Sequence, residues 1–213
     1  MNIFKNFNFE KVRGILLDLD GTVYEYDSCH KNGLLALYKG FSVVHSIPYD
    51  LFCGLYSDAQ KAVKERTNGQ GASHSRLLYI QHMLEQTLRR TDVETVLTLE
   101  EIYWSAFMDE MKLKEGVSEF LAECEKRGVI VCIITDLTTA IQFRKIGRLG
   151  LSASIDFVVT SEEAGVEKPS PLIFSYAIEK MGLQKEDVIM IGDDSKKDID
   201  GARNINIRAV KVT

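Results

Sequence analysis

This chain of 213 residues contains only three prolines and four cysteines, and its net charge is negative. Three prolines are too few for a proline-rich linker, and the sequence has no internal repeat or low-complexity tract. The four cysteines include no C-x-x-C pair, which argues against a zinc site and a disulfide framework. The net charge of −5 argues against broad electrostatic binding of nucleic acid.

Long apolar runs are also missing. No stretch reaches the ~20 consecutive apolar residues that span a bilayer. The N-terminus has no unbroken apolar segment followed by a small-residue cleavage site. These absences predict a soluble, cytoplasmic protein without a membrane or nucleic acid partner, and they leave its oligomeric state open.

Five short apolar runs are present, and each is typical of a buried strand. Helical patterns separate them along the chain. The predicted strands are residues 15–20, 129–135, 157–159, 188–191 and 207–212, and the predicted helices are residues 117–127, 139–149, 171–181 and 195–204. This alternation predicts an α/β fold with a Rossmann-like parallel sheet.

Residues 23–114 differ from the rest because they lack a strong strand pattern. Their clearest helical patterns are residues 58–66, 76–89 and 99–111. We therefore predict an inserted helical domain at residues 23–114 and an α/β core formed by residues 1–22 and 115–213. Both parts exceed the ~40 residues below which a domain rarely builds a sufficient core.

Two carboxylates close the first predicted strand. Asp18 and Asp20 are two positions apart, so they project from the same face of a strand. Ligands of open α/β sheets bind at this carboxyl edge. Adjacent carboxylates repel each other and need a cation or a proton, which favours a functional pair over simple capping of the turn at residues 21–22.

A second acidic group follows the fourth predicted strand. Asp193, Asp194 and Asp198 would share an edge with the first pair if the sheet is parallel. An oxygen-rich group without cysteine or histidine suits Mg²⁺. For Asp194 and Asp198, capping of the next helix is an equally good interpretation.

Two further residues occupy positions where a phosphate could bind. Thr135 ends the second predicted strand and offers a hydroxyl at the start of a helix, although it could equally be a helix cap. Lys168 lies between Glu167 and Pro169 in a loop. Composition alone favours a solvated loop lysine there.

In this order, the motifs resemble those of the haloacid dehalogenase superfamily. They are D-x-D-G-T at residues 18–22, the threonine Thr135, the lysine Lys168 and G-D-x-x-x-x-D at residues 192–198. The insertion looks like the helical cap of that family. The segments at residues 134–151 and 161–183 look most like the branch that contains pyrimidine nucleotidases and acylneuraminate 9-phosphatases.

The resemblance implies a Mg²⁺-dependent phosphatase that acts on a small phosphorylated metabolite, a nucleotide or a sugar phosphate. It implies that Asp18 is the nucleophile, which becomes an aspartyl phosphate, and that Asp20 is the general acid and base. It implies phosphate binding at Thr135, Asp136 and Lys168. The implied Mg²⁺ ligands are Asp18, the backbone carbonyl of Asp20, and Asp193, with Asp194 or Asp198 in support.

Two positions depart from the pattern of the family. Asp136 stands where relatives often have asparagine, and Lys197 stands where asparagine is usual. A carboxylate at position 136 would repel a phosphate dianion, so we expect it to turn away from the site.

Three alternatives remain at this stage. A phosphosugar mutase would use the same core. A receiver-like phospho-acceptor domain would have its acidic pair before the acceptor and no insertion. An inactive phosphate-binding scaffold fits poorly with a chain that fills every motif position.

Substrate choice would lie in the insertion, where residues 59–91 have six basic residues against two acidic ones. That charge could attract an anionic substrate, or it could form a solvated helix face. The basic residues are Lys61, Lys64, Arg66, Arg76, Arg89 and Arg90.

Overall fold

Five short strands pair in parallel to form one sheet in a computed structural model that describes residues 2–212, apart from the side chain of Val44. The strands are β1 (Gly14–Leu17), β2 (Ile130–Thr135), β3 (Phe157–Thr160), β4 (Val188–Gly192) and β5 (Arg208–Lys211). Their order across the sheet is β3-β2-β1-β4-β5. The predicted α/β fold with a parallel sheet is therefore confirmed.

β1 lies between β2 and β4, and its Leu17 pairs with Ile133 of β2 and Ile191 of β4. Every residue of β1 and β4 is buried, as expected for central strands covered on both faces. The edge strand β5 is less buried. The most protected strands are therefore the ones that position the motif residues.

The helices of this α/β part connect the strands. They are α5 (Val117–Arg127), α6 (Thr139–Arg148), α7 (Ser161–Ala164) and α8 (Pro171–Met181), and a π-helix (Ser195–Asp200) leads into α9 (Gly201–Arg203). Ser170 caps α8 through a bond from the Leu172 N–H, with Pro171 in the first turn. The predicted helix at residues 195–204 is thus mainly one π-helical turn, whose wider winding was not expected.

Four longer helices occupy the insertion. They are α1 (Tyr26–Val44), α2 (Tyr49–Arg66), α3 (Arg76–Leu88) and α4 (Val93–Glu110). α1 packs mainly on α4, and α3 packs on both α2 and α4. A Cβ added at Gly33 would lie 3.0 Å from the backbone oxygen of Tyr103, so this glycine permits the close approach of α1 and α4.

The chain divides into two compact units, and the helical unit is Tyr26–Met111. Residues 23–25 and 112–114 belong instead to the α/β unit. Tyr24 forms isolated bridges with Asp20 and Leu113, and the Lys114 N–H donates to the carbonyl of Val23 at 2.8 Å. The helical unit is thus three residues shorter at each end than the predicted insertion at residues 23–114.

Candidate active site

Three strands of the sheet end beside one another and bring the predicted motif residues together. Asp18 follows β1, Thr135 is the last residue of β2, and Asp193 follows β4. The N–H of Asp18 donates to the carbonyl of Ile191 at 2.9 Å, which extends the pairing of β1 and β4 by one residue. The acidic groups predicted from the two motifs therefore lie at one carboxyl edge of the sheet.

Lys168 lies among these acidic residues. Its Nζ donates to Asp18 Oδ1 at 2.6 Å, to Asp198 Oδ1 at 2.7 Å and to the carbonyl of Ile134 at 3.2 Å. Although burial disfavours the charge, the carboxylates of Asp18 and Asp198 hold the pKa of Lys168 well above its usual value. At 4% exposure the side chain is buried, so the interpretation as a solvated loop lysine was wrong.

Both carboxylate oxygens of Asp18 accept hydrogen bonds. Oδ1 faces Lys168, and Oδ2 accepts from the hydroxyl of Thr22 at 2.7 Å. Burial raises the pKa of Asp18 to about 8, with a further increase from Asp198 and an opposing effect from Lys168. Additional positive charge at this position would stabilise the carboxylate form.

Asp18, Asp193 and Asp198 form a group that could hold a metal ion. One carboxylate oxygen from each lies within 4.8 Å of the others. Burial and the charge of Asp198 raise the pKa of Asp193. A Cβ at Gly21 would lie only 2.4 Å from Asp193 Oδ2, so the glycine of the D-x-D-G-T motif leaves room for that carboxylate. Oxygen ligands alone fit Mg²⁺.

Asp194 and Asp198 occupy different environments. Asp194 is exposed, and its Oδ1 accepts from the N–H groups of Lys196 at 2.8 Å and Lys197 at 2.9 Å. Against the effect of burial, these bonds lower the pKa of Asp194. Asp198 is buried and belongs to the carboxylate group above. The geometry of Asp194 is that of a helix cap, and its role in metal support stays a prediction.

Asp20 contacts residues that the sequence did not single out. Lys145 Nζ lies 2.8 Å from both of its carboxylate oxygens, and Gln142 Nε2 donates to its Oδ2 at 3.2 Å. The Tyr24 hydroxyl also donates to this carboxylate. Although burial acts in the opposite direction, Lys145 lowers the pKa of Asp20. Metal binding through the Asp20 carbonyl stays a prediction.

A sequence signal for Lys145 and Gln142 does exist. They are three residues apart on α6, where they share a buried face with Ile141 and Ile146. Polar side chains rarely occupy such a face unless they are paired. Their partner could not be predicted, because it depends on where the helix packs.

Thr135 and Asp136 lie beside these residues. Thr135 Oγ1 accepts from Gln142 Nε2 at 2.6 Å. Asp136 Oδ2 accepts from Lys197 Nζ at 2.6 Å, and Asp136 Oδ1 accepts from the N–H of Lys168 at 3.0 Å. The two departures from the family pattern thus form an ion pair with each other. Phosphate binding by these residues stays a prediction.

Asp193 offers a test of metal binding that is separate from catalysis. The pKa of Asp193 is raised in the folded chain, so the folded chain binds this proton more tightly than the unfolded chain does. The free energy of unfolding therefore decreases as pH rises above the usual range of a carboxyl group. We expect Asp193→Asn to unfold in EDTA at a temperature equal to or above that of the wild type. Wild type should gain about 2.7 kcal/mol from Mg²⁺ at 100 times its dissociation constant, and the variant should lose most of that gain. Thermal melts with EDTA and with excess Mg²⁺ measure both effects.

A capping role for Asp193 predicts the opposite result. The variant would then lose roughly 1 kcal/mol or less in EDTA, and its response to Mg²⁺ would be unchanged. An undiminished Mg²⁺ response would remove Asp193 from the metal site. Asp200→Asn, at an exposed position of the same segment, is the matched control.

Comparison with known proteins decides the family. The family model for haloacid dehalogenase-like hydrolases matches residues 12–206. The chain belongs to this family. The resemblance seen in the motifs is thereby confirmed.

Three curated relatives are similar over most of their length. Ribulose-1,5-bisphosphate 5-phosphatase of Halopiger xanaduensis is 36% identical over 92% of this chain and 82% of its own. Glyceraldehyde 3-phosphate phosphatase of Methanocaldococcus jannaschii is 25% identical, with coverages of 94% and 85%. N-acylneuraminate-9-phosphatase of Rattus norvegicus is 25% identical, with coverages of 93% and 81%. This member of the family is accordingly an enzyme, a phosphoric monoester hydrolase.

Solved structures agree on the fold. A 2-haloacid dehalogenase from Pseudomonas syringae has a TM-score of 0.76 at 18% identity and covers 94% of this chain and 86% of its own. An HAD phosphatase from Thermococcus onnurineus has a TM-score of 0.72 at 21% identity, with coverages of 95% and 86%.

None of the described helices is long and apolar enough to cross a membrane.

Proposed function

We propose that this hydrolase releases inorganic phosphate from a small sugar phosphate, with Mg²⁺ as cofactor and Asp18 as nucleophile. The observation that carries the proposal is the buried Asp18 carboxylate, which lies beside the Lys168 ammonium and within one oxygen-rich group with Asp193 and Asp198. Phosphoryl transfer requires neutralisation of charge on the transferring phosphoryl group, which the Lys168 ammonium and a Mg²⁺ ion held by these carboxylates would supply. The names of the relatives support a sugar phosphate over a nucleotide.

The first half of the reaction transfers the phosphoryl group to the protein. A carboxylate oxygen of Asp18 forms a bond to phosphorus while the bond from phosphorus to the alcohol oxygen breaks. Asp20 takes up the proton of the phosphate monoanion as the substrate binds and donates it to that alcohol oxygen, which would otherwise leave as a poor alkoxide. Lys168 lies 2.6 Å from Asp18 and neutralises negative charge beside the reacting oxygen.

The second half regenerates the protein. A water oxygen attacks phosphorus, its proton passes to Asp20, and the bond from phosphorus to Asp18 breaks. Because Lys145 keeps the pKa of Asp20 low, Asp20 is ionised once the alcohol has left, accepts the proton of the water and then loses it to solvent, which restores the free enzyme. Asp18, Asp193 and Asp198 would hold Mg²⁺, which when bound orients the phosphate and withdraws charge from its oxygens.

Lys145 should be a positioning residue for Asp20. It contacts both carboxylate oxygens at 2.8 Å, so its removal leaves the orientation of the carboxyl group to the weaker contacts of Tyr24 and Gln142. We expect Lys145→Met to lower kcat/KM for glycerol phosphate by about 100-fold, within the usual range for general acid catalysis. p-Nitrophenyl phosphate has a good leaving group and needs no proton, so its kcat/KM should change by less than about threefold.

The measurement is the ratio of the kcat/KM values for the two substrates. We use kcat/KM because it covers only the steps up to release of the alcohol. Arg148→Met removes a positive charge from the exposed face of the same helix and should leave the ratio unchanged. An equal fall for both substrates, or a rise for glycerol phosphate, would contradict the positioning role.

A substrate screen tests the proposed function itself. The intact chain is incubated with a panel of sugar phosphates and nucleoside monophosphates, with Mg²⁺ or with EDTA, and inorganic phosphate is measured. We expect Mg²⁺-dependent release, fastest from a sugar phosphate. The proposal fails if no phosphate appears from any member of the panel. If a sugar phosphate isomerises without release, the protein is a phosphosugar mutase instead.

A further inference from the structure

Asp136 joins three segments of the α/β unit that carry motif residues. It follows Thr135, the last residue of β2. Its Oδ1 accepts from the N–H of Lys168, in the loop before α8, at 3.0 Å. Its Oδ2 accepts from Lys197 Nζ, in the π-helix, at 2.6 Å. All of these residues belong to one compact unit, so the Asp136 carboxylate can align the three segments with one another.

The contacts of Asp136 and Lys168 form a closed ring with the π-helix. Two neighbouring residues of that helix take part: Lys197 donates to Asp136, and Asp198 accepts from Lys168 Nζ at 2.7 Å. Lys168 is thus held at its backbone by Asp136 and at its ammonium by Asp198. π-Helical turns occur frequently at functional sites. This turn connects the partly exposed Lys197 to the buried lysine of the site.

The negative charge of Asp136 affects the site. Its side chain is 14% exposed, so solvent screens this charge only in part. Burial disfavours the charge of Lys168, whereas the carboxylates around it raise its pKa, and Asp136 is one of these carboxylates. The charge of Asp136 thus reaches the ammonium beside Asp18. A phosphate dianion bound there is repelled by Asp136 unless a cation compensates it.

Lys197 supplies that cation. Its Nζ lies 2.6 Å from Asp136 Oδ2 and 3.9 Å from Glu167 Oε2, and its side chain is 33% exposed. A partly exposed ion pair contributes little to folding, but its charges still act on an anion bound nearby. An asparagine at position 136 would keep an acceptor for the Lys168 N–H without the negative charge. The charge of Lys197 is therefore needed only while position 136 carries a carboxylate.

We propose that Lys197 is a positioning residue for phosphoryl transfer, which neutralises Asp136 so that a phosphate dianion can bind beside Lys168. Lys197 acts through Asp136 and not on the reacting atoms. This role rests on the proposed function, in which the phosphoryl group binds beside Asp18 and Lys168. Removal of the Lys197 charge should weaken binding of the phosphoryl group, and removal of the Asp136 charge as well should cancel that effect.

A double-mutant cycle tests this role. The measurement is kcat/KM for p-nitrophenyl phosphate with Mg²⁺, because this substrate needs no proton from Asp20. We expect Lys197→Met to lower kcat/KM of the wild type by about tenfold, within the usual coupling of residues in contact. In the Asp136→Asn background the same substitution should change kcat/KM by less than about twofold. Lys196→Met, at an exposed position of the same π-helix, is the matched control and should change it by less than about twofold.

Thermal melts with inorganic phosphate and Mg²⁺ give a measurement without turnover. At equal phosphate concentration, we expect a smaller rise in melting temperature for Lys197→Met than for wild type or Lys196→Met. In the Asp136→Asn background, Lys197→Met should leave the rise unchanged. Without phosphate, Lys197→Met should melt within about 4 °C of wild type, because the ion pair that it breaks is partly exposed.

A loss of kcat/KM that is the same in both backgrounds would show that Lys197 acts through packing and would overturn the proposal. An undiminished response of Lys197→Met to phosphate would also overturn it. If wild type releases phosphate from no member of the substrate panel, the proposed function fails. The melts with inorganic phosphate then still decide whether Lys197 controls anion binding through Asp136.

Discussion

Replacing Asp18 by asparagine should lower kcat/KM for phosphate release by about four orders of magnitude or more, the scale seen when a nucleophile is removed from other enzymes with covalent intermediates. Asparagine keeps the size of the side chain but cannot form the acyl phosphate. Lys168 retains its ion pair with Asp198 at 2.7 Å, so no buried charge is left unpaired. The variant should therefore remain folded while activity is lost.

The measurement is Mg²⁺-dependent release of phosphate from an aryl phosphate and from the best sugar phosphate of the screen. Asp58→Asn, on the exposed face of α2, makes the same chemical change away from the motifs and should keep full activity. Circular dichroism and a thermal melt confirm folding of both variants. Residual activity above a few per cent of wild type would remove Asp18 as the nucleophile.

Replacing Lys168 by methionine should destabilise the fold by about 3–5 kcal/mol above pH 8, because breaking a buried ion pair leaves uncompensated charge. The ammonium touches Asp18 and Asp198, which are buried with it. Without it, two buried carboxylates repel each other. Urea unfolding in EDTA measures the loss, and excess Mg²⁺ should restore part of it.

The pH dependence of this loss identifies its cause. Asp18 has a pKa of about 8 in the folded chain against 3.8 for an ordinary aspartate, so the folded state binds the proton more tightly and its stability falls as pH rises between these values. Removing Lys168 raises this pKa further, so the variant and the wild type differ in the ionisation of Asp18 only above pH 8. The loss should therefore grow as pH rises above 8 and shrink as pH falls to 8. Lys180→Met, which removes the partly exposed pair with Glu163, should cost less than about 1 kcal/mol. A loss that is equal at every pH would mean that Lys168 acts through packing alone.

The sequence predicts the α/β unit well because its boundaries are marked locally. The predicted helices at residues 117–127 and 171–181 coincide with α5 and α8, which are followed by Gly128 and Gly182. The helix α1 was not predicted, since Gly33 and Gly40 disfavour a helix by about 1 kcal/mol each. Its stability comes from packing on α4, which no local pattern reveals.

The same distinction applies to the site, where contacts set by strand order could be predicted and contacts set by helix packing could not. Motif order was enough to predict that Asp18 and Asp193 meet, because the ends of parallel strands meet at one edge. The contacts of Asp20 with Lys145 depend on where α6 packs. Arg76 was grouped with exposed basic residues such as Arg66, but it is buried among aromatic rings.

The bridge between Tyr24 and Leu113 closes the α/β unit at the two ends of the insertion, so the backbone pairing of this unit does not depend on the length of the inserted segment. The chain leaves and re-enters the unit at hydrogen-bonded neighbours, since Lys114 also donates to the carbonyls of Val23 and Gly21 at 2.8 and 2.6 Å. Closing a flexible loop costs only about 0.6 kcal/mol more for each doubling of its length. Over evolution, this junction could accept inserts of very different sizes while the residues before Gly21 keep their register.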